Sequence, residues 1–204
     1  VIDNSSAWRM DPRVPLVVPE VNGAAAAERP LGIIANPNCA TIQLVVALQA
    51  LHVRSALRRV IATTFQSVSG AGQKGIAALQ AELEGATSHD TPFVAPIAGN
   101  VIPWIGGDEE GKIESETRKM LGRLEGGVVR PAAIAVSAQA NRVPVEHGHT
   151  ACLAVAFERR ASPGEAVAAI AGWRGAIDHL GLPSAPERAV VVTDAADRPQ
   201  PRRD

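Results

Sequence analysis

The chemistry in this sequence gathers around one thiol. Asn36-Pro37-Asn38-Cys39 stands between a short apolar run ending at Ile33-Ile34-Ala35 and a stretch with apolar residues at Ile42, Val45, Val46, Leu48 and Leu51. The first reads as the end of a buried strand and the second as one face of a helix. Cys39 is therefore expected in the first turn of that helix, where unpaired backbone N–H groups and the positive dipole end favour a thiolate. A cysteine so placed is a candidate nucleophile. His149, beside Gly148 at the lip of a strand, is a candidate acid/base partner, although a single histidine at a strand end is more often structural. Arg9, Arg142, Lys119 and Glu116 suit a small substrate carrying carboxylate, phosphate and ammonium groups. Three of them also have a plainer reading. Arg9 fits a solvated loop, and Glu116 with Lys119 fits an exposed i,i+3 ion pair. From residue types and spacing alone, the reading reaches a cysteine enzyme acting on a small polar anion and stops there.

The elements that must position these groups follow from periodicity. Leu57–Phe65 is rich in β-branched residues and predicts a strand ending at Gln66. Ser67–Gly72 is a small-residue loop, and a helix is expected from about Gln73 to Glu84. Gly70 to Gly75 also satisfies G-x-G-x-x-G, but the acid expected about 20 residues further on falls at Asp90, in the polar segment Thr87-Ser88-His89-Asp90 with no second strand before it. A tight strand-to-helix turn explains those glycines. Residues 86–108 read as a long loop, Ile113–Leu124 as a helix with Leu124 inward, and Ala132–Ala140 and Ala151–Phe157 as strands. Cys152, inside the last of these, is expected to be a small buried hydrophobe. Ser162-Pro163-Gly164-Glu165 carries a helix-start signature for a helix reaching about Ile177, and Ala189–Val192 predicts a further short strand. The pattern after Cys39 is no regular βαβ series, so an α+β fold is expected, a mixed sheet with helices on one face.

Composition bounds the function classes. Over 204 residues, 46% are hydrophobic and 20% charged, the balance of a globular protein with a sizeable core. A formal charge of −1 gives no electrostatic reason for a nucleic acid or membrane-surface partner. Two cysteines make no disulfide framework, which fits a cytoplasmic setting, and no apolar run is long enough to span a bilayer. No metal-ligand set is read. Val1-Ile2-Asp3 resembles the close of a strand, and Asp197–Asp204 is polar and proline-broken, so a fragment of a longer protein is expected.

Several stretches together resemble the bacterial aspartate-β-semialdehyde dehydrogenase family over essentially the whole chain: Asn4-Ser5-Ser6-Ala7-Trp8-Arg9-Met10, Val14–Asn22, Asn36-Pro37-Asn38-Cys39, Gln66–Gly72, Lys112–Lys119, and Arg142-Val143-Pro144-Val145 with Gly148-His149. The resemblance implies NADPH-dependent interconversion of aspartyl-4-phosphate and aspartate-4-semialdehyde, in lysine, threonine, methionine and diaminopimelate biosynthesis. It implies Cys39 as nucleophile, forming a thioester, His149 as acid/base and Gln66 as orienting group. Arg142 and Glu116 would hold the substrate's carboxylate and amino group, and Arg9 and Lys119, with Asn38, its phosphate. Ser69 and Gly70 would border the nicotinamide. It further implies a homodimer or homotetramer. Residues 1–38 are expected to be the tail of a Rossmann-like NADP-binding domain, and residues 39–204 a catalytic and dimerisation domain. Ala40 stands where the family commonly has Ser or Thr. The family's Gly-rich phosphate loop is absent before Val1 and its closing helix after Asp204, so the chain as given is expected to bind NADP poorly. The rival readings are an N-acetyl-glutamyl-phosphate reductase, whose nucleophile motif has Gly before Cys and Tyr-Pro after it, and a non-catalytic dimerisation module.

Overall fold

The computed structural model describes residues 1–86, 90–194 and 198–201. The first three residues of the polar segment Thr87–Asp90, and parts of the tail Asp197–Asp204, lie outside the described residues. The described chain is α+β, as expected, with β1 (Ile2–Asp3), α1 (Pro19–Asn22), β2 (Ile34–Ala35), α2 (Cys39–Arg54), β3 (Leu57–Gln66), α3 (Gly72–Leu83) and α4 (Glu109–Met120). These are followed by β4 (Arg123–Glu125), β5 (Val128–Arg130), β6 (Ala135–Arg142), β7 (Thr150–Phe157) and α5 (Pro163–Gly172). Strands β1 and β2 pair in parallel, β4 and β5 form a hairpin, and the remaining sheet runs β6-β3-β7. The chain divides into two compact units, one of Val1–Ile61, Lys112–Val136 and Ala154–Val192, the other of Ala62–Gly111, Ser137–Leu153 and Thr193–Asp204.

In the first unit, α2 is a helix for tertiary reasons as much as local ones. Thr41, Ile42, Val45, Val46 and Val53 are β-branched and weak helix formers. What compensates is a buried stripe of Leu44, Val45, Leu48 and Leu51, each side chain worth about 1.5–3 kcal/mol when removed from water. Asn38 starts the helix, its Oδ1 accepting from the N–H groups of Ala40 at 2.9 Å and Thr41 at 3.2 Å. At α5, Ser162 and Glu165 complete the expected capping box.

In the second unit, Val68, Ile76, Leu79, Ile97 and Ile102 form a core against which Phe93, Ala95 and Ala98 pack. This core fixes the turn between β3 and α3. Gly72 takes φ +72°, and a Cβ on Gly75 would run into the main-chain oxygen of Val68. These glycines serve a close strand-to-helix passage, the reading given to them from sequence.

Several expectations need correction. Strand β2 is only Ile34–Ala35, because Gly32 at φ +67° turns the chain just before it. Helix α4 begins at Glu109 and ends at Met120, and Leu124 lies in β4. Gly126 and Gly127, at φ +59° and +76°, close the β4–β5 hairpin there. Helix α5 stops at Gly172, since Trp173 is extended, and Ala189–Val192 is not in a strand. Cys152 is exposed, its place in the strand's alternation facing outward. Glu116 and Lys119 are not a solvated pair: they are 1% and 4% exposed.

Candidate active site

The candidate residues fall into two clusters, one in each unit. In the first, Cys39 is exposed in the opening turn of α2, with Asn38 as the capping residue before it. Glu116, from the middle of α4, has one carboxylate oxygen on each of two donors. Oε1 accepts from Arg9 Nη1 at 3.0 Å and Oε2 from the main-chain N–H of Asn38 at 2.7 Å. A buried carboxylate requires such compensation, because desolvation of an unpaired charge costs several kcal/mol.

Arg9 also donates from Nη2 to the carbonyl of Asn4 at 3.0 Å. Its Nε is buried and has no hydrogen-bond partner among the described residues, an orphaned donor on a cation. Lys119, one helical turn beyond Glu116, donates to the carbonyls of Arg9, Asp11 and Val14 at 2.6, 2.7 and 2.8 Å. Those three bonds use all three ammonium protons. Burial lowers the Lys119 pKa to about 8, against the opposing pull of Asp11 and Glu116. As placed, Lys119 ties down the loop that carries Arg9.

In the second unit, the end of β3 and the segment around β6 and β7 bring Gln66, Ser67, Arg142 and His149 together. Gln66, 1% exposed, donates from Nε2 to Glu109 Oε1 at 3.2 Å and to Thr64 Oγ1 at 3.3 Å. His149 is half-buried and its Nδ1 lies 3.1 Å from both the N–H and the Oγ of Ser67. A main-chain N–H can only donate, so Nδ1 accepts and the neutral ring carries its proton on Nε2. Burial, and then the neighbouring Arg142 cation, lower the His149 pKa, while Glu109 pulls the other way. At neutral pH the imidazole is uncharged.

Arg142, 6% exposed, donates from Nη1 to the carbonyl of Ser67 and stands 5.9 Å over the ring of Phe93. Its backbone is paired with Ile102 through both N–H···O bonds, at 3.0 and 2.8 Å. Ser69 Oγ lies 3.0 Å from Ser67 Oγ. At Gly70 an added Cβ would come within 2.9 Å of Arg142 Nη1 and 3.6 Å of His149 Cε1, so a larger residue there would press on the arginine's guanidinium.

The structure thus groups Arg9, Asn38, Cys39, Glu116 and Lys119 in one unit, and Gln66, Ser69, Gly70, Arg142 and His149 in the other. Sequence reasoning missed Ser67, Glu109 and Phe93. Ser67 and Phe93 carried no signal beyond their loops. Glu109 belongs to an acidic run, Asp108-Glu109-Glu110, that announces a helix start four residues before the predicted one.

Known proteins resemble this chain in sequence and in fold. Residues 48–204 match the family model described as semialdehyde dehydrogenase, dimerisation domain, and residues 1–29 the model described as semialdehyde dehydrogenase, NAD binding domain. The chain is 42% identical to the aspartate-semialdehyde dehydrogenase of Methanothermobacter thermautotrophicus over all of this chain and 56% of that protein. For the aspartate-semialdehyde dehydrogenase of Cryptococcus neoformans the figures are 40%, all of this chain and 56% of that protein. The chain therefore spans a little over half the length of these curated relatives. Among solved structures, Candida albicans aspartate semialdehyde dehydrogenase with NADP matches with a TM-score of 0.79 at 32% identity, over 100% of this chain and 57% of that one. Vibrio cholerae aspartate semialdehyde dehydrogenase II complexed with ASA matches with a TM-score of 0.74 at 36% identity, over 83% of this chain and 52% of that one. The chain belongs to the aspartate-semialdehyde dehydrogenase family.

Proposed function

We propose that the protein containing this chain reduces aspartyl-4-phosphate to aspartate-4-semialdehyde with NADPH, reversibly and with release of phosphate. The observation that carries the reading is the exposed Cys39 in the first turn of α2, beside a capping Asn38. The positive end of a 16-residue helix stabilises a thiolate there. The thiolate attacks the acyl phosphate carbonyl, the C–O bond to phosphate breaks, and Cys39 is left as a thioester. NADPH, when bound, supplies the hydride that reduces this thioester. The resulting thiohemiacetal collapses to the aldehyde and regenerates the thiolate.

The other residues take roles that match their surroundings. Neutral His149 presents a proton at Nε2 to the oxygen on which negative charge develops, held in that tautomer by Ser67. To take up a second proton at Nδ1, it would have to give up the Ser67 N–H contact. Gln66, fixed by Glu109 and Thr64, orients the reacting centre. Arg142 binds the substrate carboxylate, a bidentate task that a lysine performs less well. Arg9 meets the phosphate, a charge-assisted contact that a guanidinium suits. Gly70, which holds no side chain against Arg142 and His149, and Ser69 beside it border the nicotinamide ring. We place residues 1–38 as the tail of the nucleotide-binding part and 39–204 as the catalytic and dimerisation part, working as a homodimer or larger homo-oligomer in the cytoplasm.

The test is NADPH formation by the full-length protein from aspartate semialdehyde, NADP and phosphate, beside Cys39→Ala. Phosphate-dependent turnover that falls at least a thousandfold in the variant is the expected result. Turnover only with N-acetyl-glutamate semialdehyde would move the protein to the neighbouring reductase, and no turnover with either would leave a dimerisation module.

A further inference from the structure

The family resemblance gives Glu116 to the substrate's amino group, yet its surroundings describe another duty. Its side chain is 2% exposed. One carboxylate oxygen is bound to the Arg9 guanidinium, and the other to the N–H of the residue immediately before the nucleophile. Lys119, from the same helix, fastens the loop that carries Arg9 by three carbonyls, so Arg9 is itself fixed from behind. Asn38 in turn caps α2 through Ala40 and Thr41. The contacts form one buried chain, from Lys119 through the residue 9–14 loop and Arg9 to Glu116, and on to the corner that presents Cys39.

We infer that Glu116 is a positioning residue for the nucleophile: it clamps the Asn38 main chain and thereby sets the place of Cys39 at the helix start. This rests on the assignment of Cys39 as nucleophile. Alternative carboxylate or amide side chains do not fit the clamp. Gln at 116 would turn its NH2 towards either Arg9 or the Asn38 N–H, setting donor against donor. Asp keeps the charge but is one methylene too short to span both donors. A group whose main task was to neutralise a substrate ammonium would leave the substrate-free thiol indifferent to its removal.

The experiment is the second-order rate of Cys39 alkylation by iodoacetamide in the full-length, substrate-free enzyme, followed on the Cys39 peptide by mass spectrometry from pH 6 to 9. It is measured for the wild type, Glu116→Gln and Glu116→Asp. The expected result is a threefold or larger change in the rate or a displaced pH profile in both variants. In turnover, kcat falls at least tenfold while KM for aspartate semialdehyde changes less than threefold. Unchanged alkylation in a folded variant overturns the inference, most plainly if KM rises tenfold at the same time. Glu116→Asp, which keeps the buried charge, supplies the readout if Glu116→Gln does not fold. Alkylation does not depend on turnover, so failure of the clamp is distinct from failure of the functional reading, which would show as Cys39→Ala retaining activity.

Discussion

His149 shows how much of the chemistry is set by a single neighbour. Its Nδ1 faces the Ser67 N–H, and both burial and the Arg142 cation disfavour the imidazolium. The folded pKa is therefore below the usual 6.5, and the neutral ring persists into mildly acidic solution. The acid limb of kcat/KM is expected below pH 6.5, and a limb at or above that value would contradict the assignment. The same shift has a stability consequence. Above 6.5 the group is neutral in both states and contributes no slope. As pH falls from 6.5 through the lowered folded pKa, the unfolded chain binds the proton first and stability declines.

At the scale of elements, the turns that carry the site are the places where small residues have no substitute. A glycine inside a helix ordinarily costs about 0.5–1 kcal/mol relative to alanine, so Gly75→Ala in α3 would be expected to stabilise. Here the sign is reversed. The new methyl would collide with the Val68 oxygen and sit 3.0 Å from Ala71 Cβ, in the turn just beyond Gln66 and Ser67. Urea unfolding of Gly75→Ala is expected to show a loss of about 1–3 kcal/mol, and a gain would mean that the turn yields more readily than its packing indicates.

For the whole molecule, the match of residues 48–204 to a dimerisation domain bears on assembly. Within the second unit, Ser137 and Gln139 of β6 and Cys152 of β7 alternate outward along their strands and leave uncharged side chains exposed. Sedimentation of the full-length protein at tens of micromolar is expected to give at least the dimer mass, and a monomer under those conditions would sink the oligomer.

The sequence by itself determined where the thiol would sit, because helical periodicity is a local rule that Val45, Leu48 and Leu51 obey, while the structure puts Leu44 in place of Ile42 and Val46 on the buried stripe and makes Asn38 the cap. It likewise carried the Ser162 capping box, β3, and the structural reading of Gly72 and Gly75. It did not determine the state of Glu116 and Lys119. Spaced i,i+3 on a charged helix, they resemble a solvated pair, and only the packing of α4 against the loop of residues 9–14 buries them and redirects both to main-chain groups. Nor did it reveal the β4–β5 hairpin or the outward-facing Cys152, since a helix pattern running into Leu124 and an apolar strand give no local sign of which face is covered. Tertiary structure decided those points for one physical reason: burial and hydrogen-bond partners belong to pairs of residues distant in sequence, such as Asn38 and Glu116, and no window along the chain contains both.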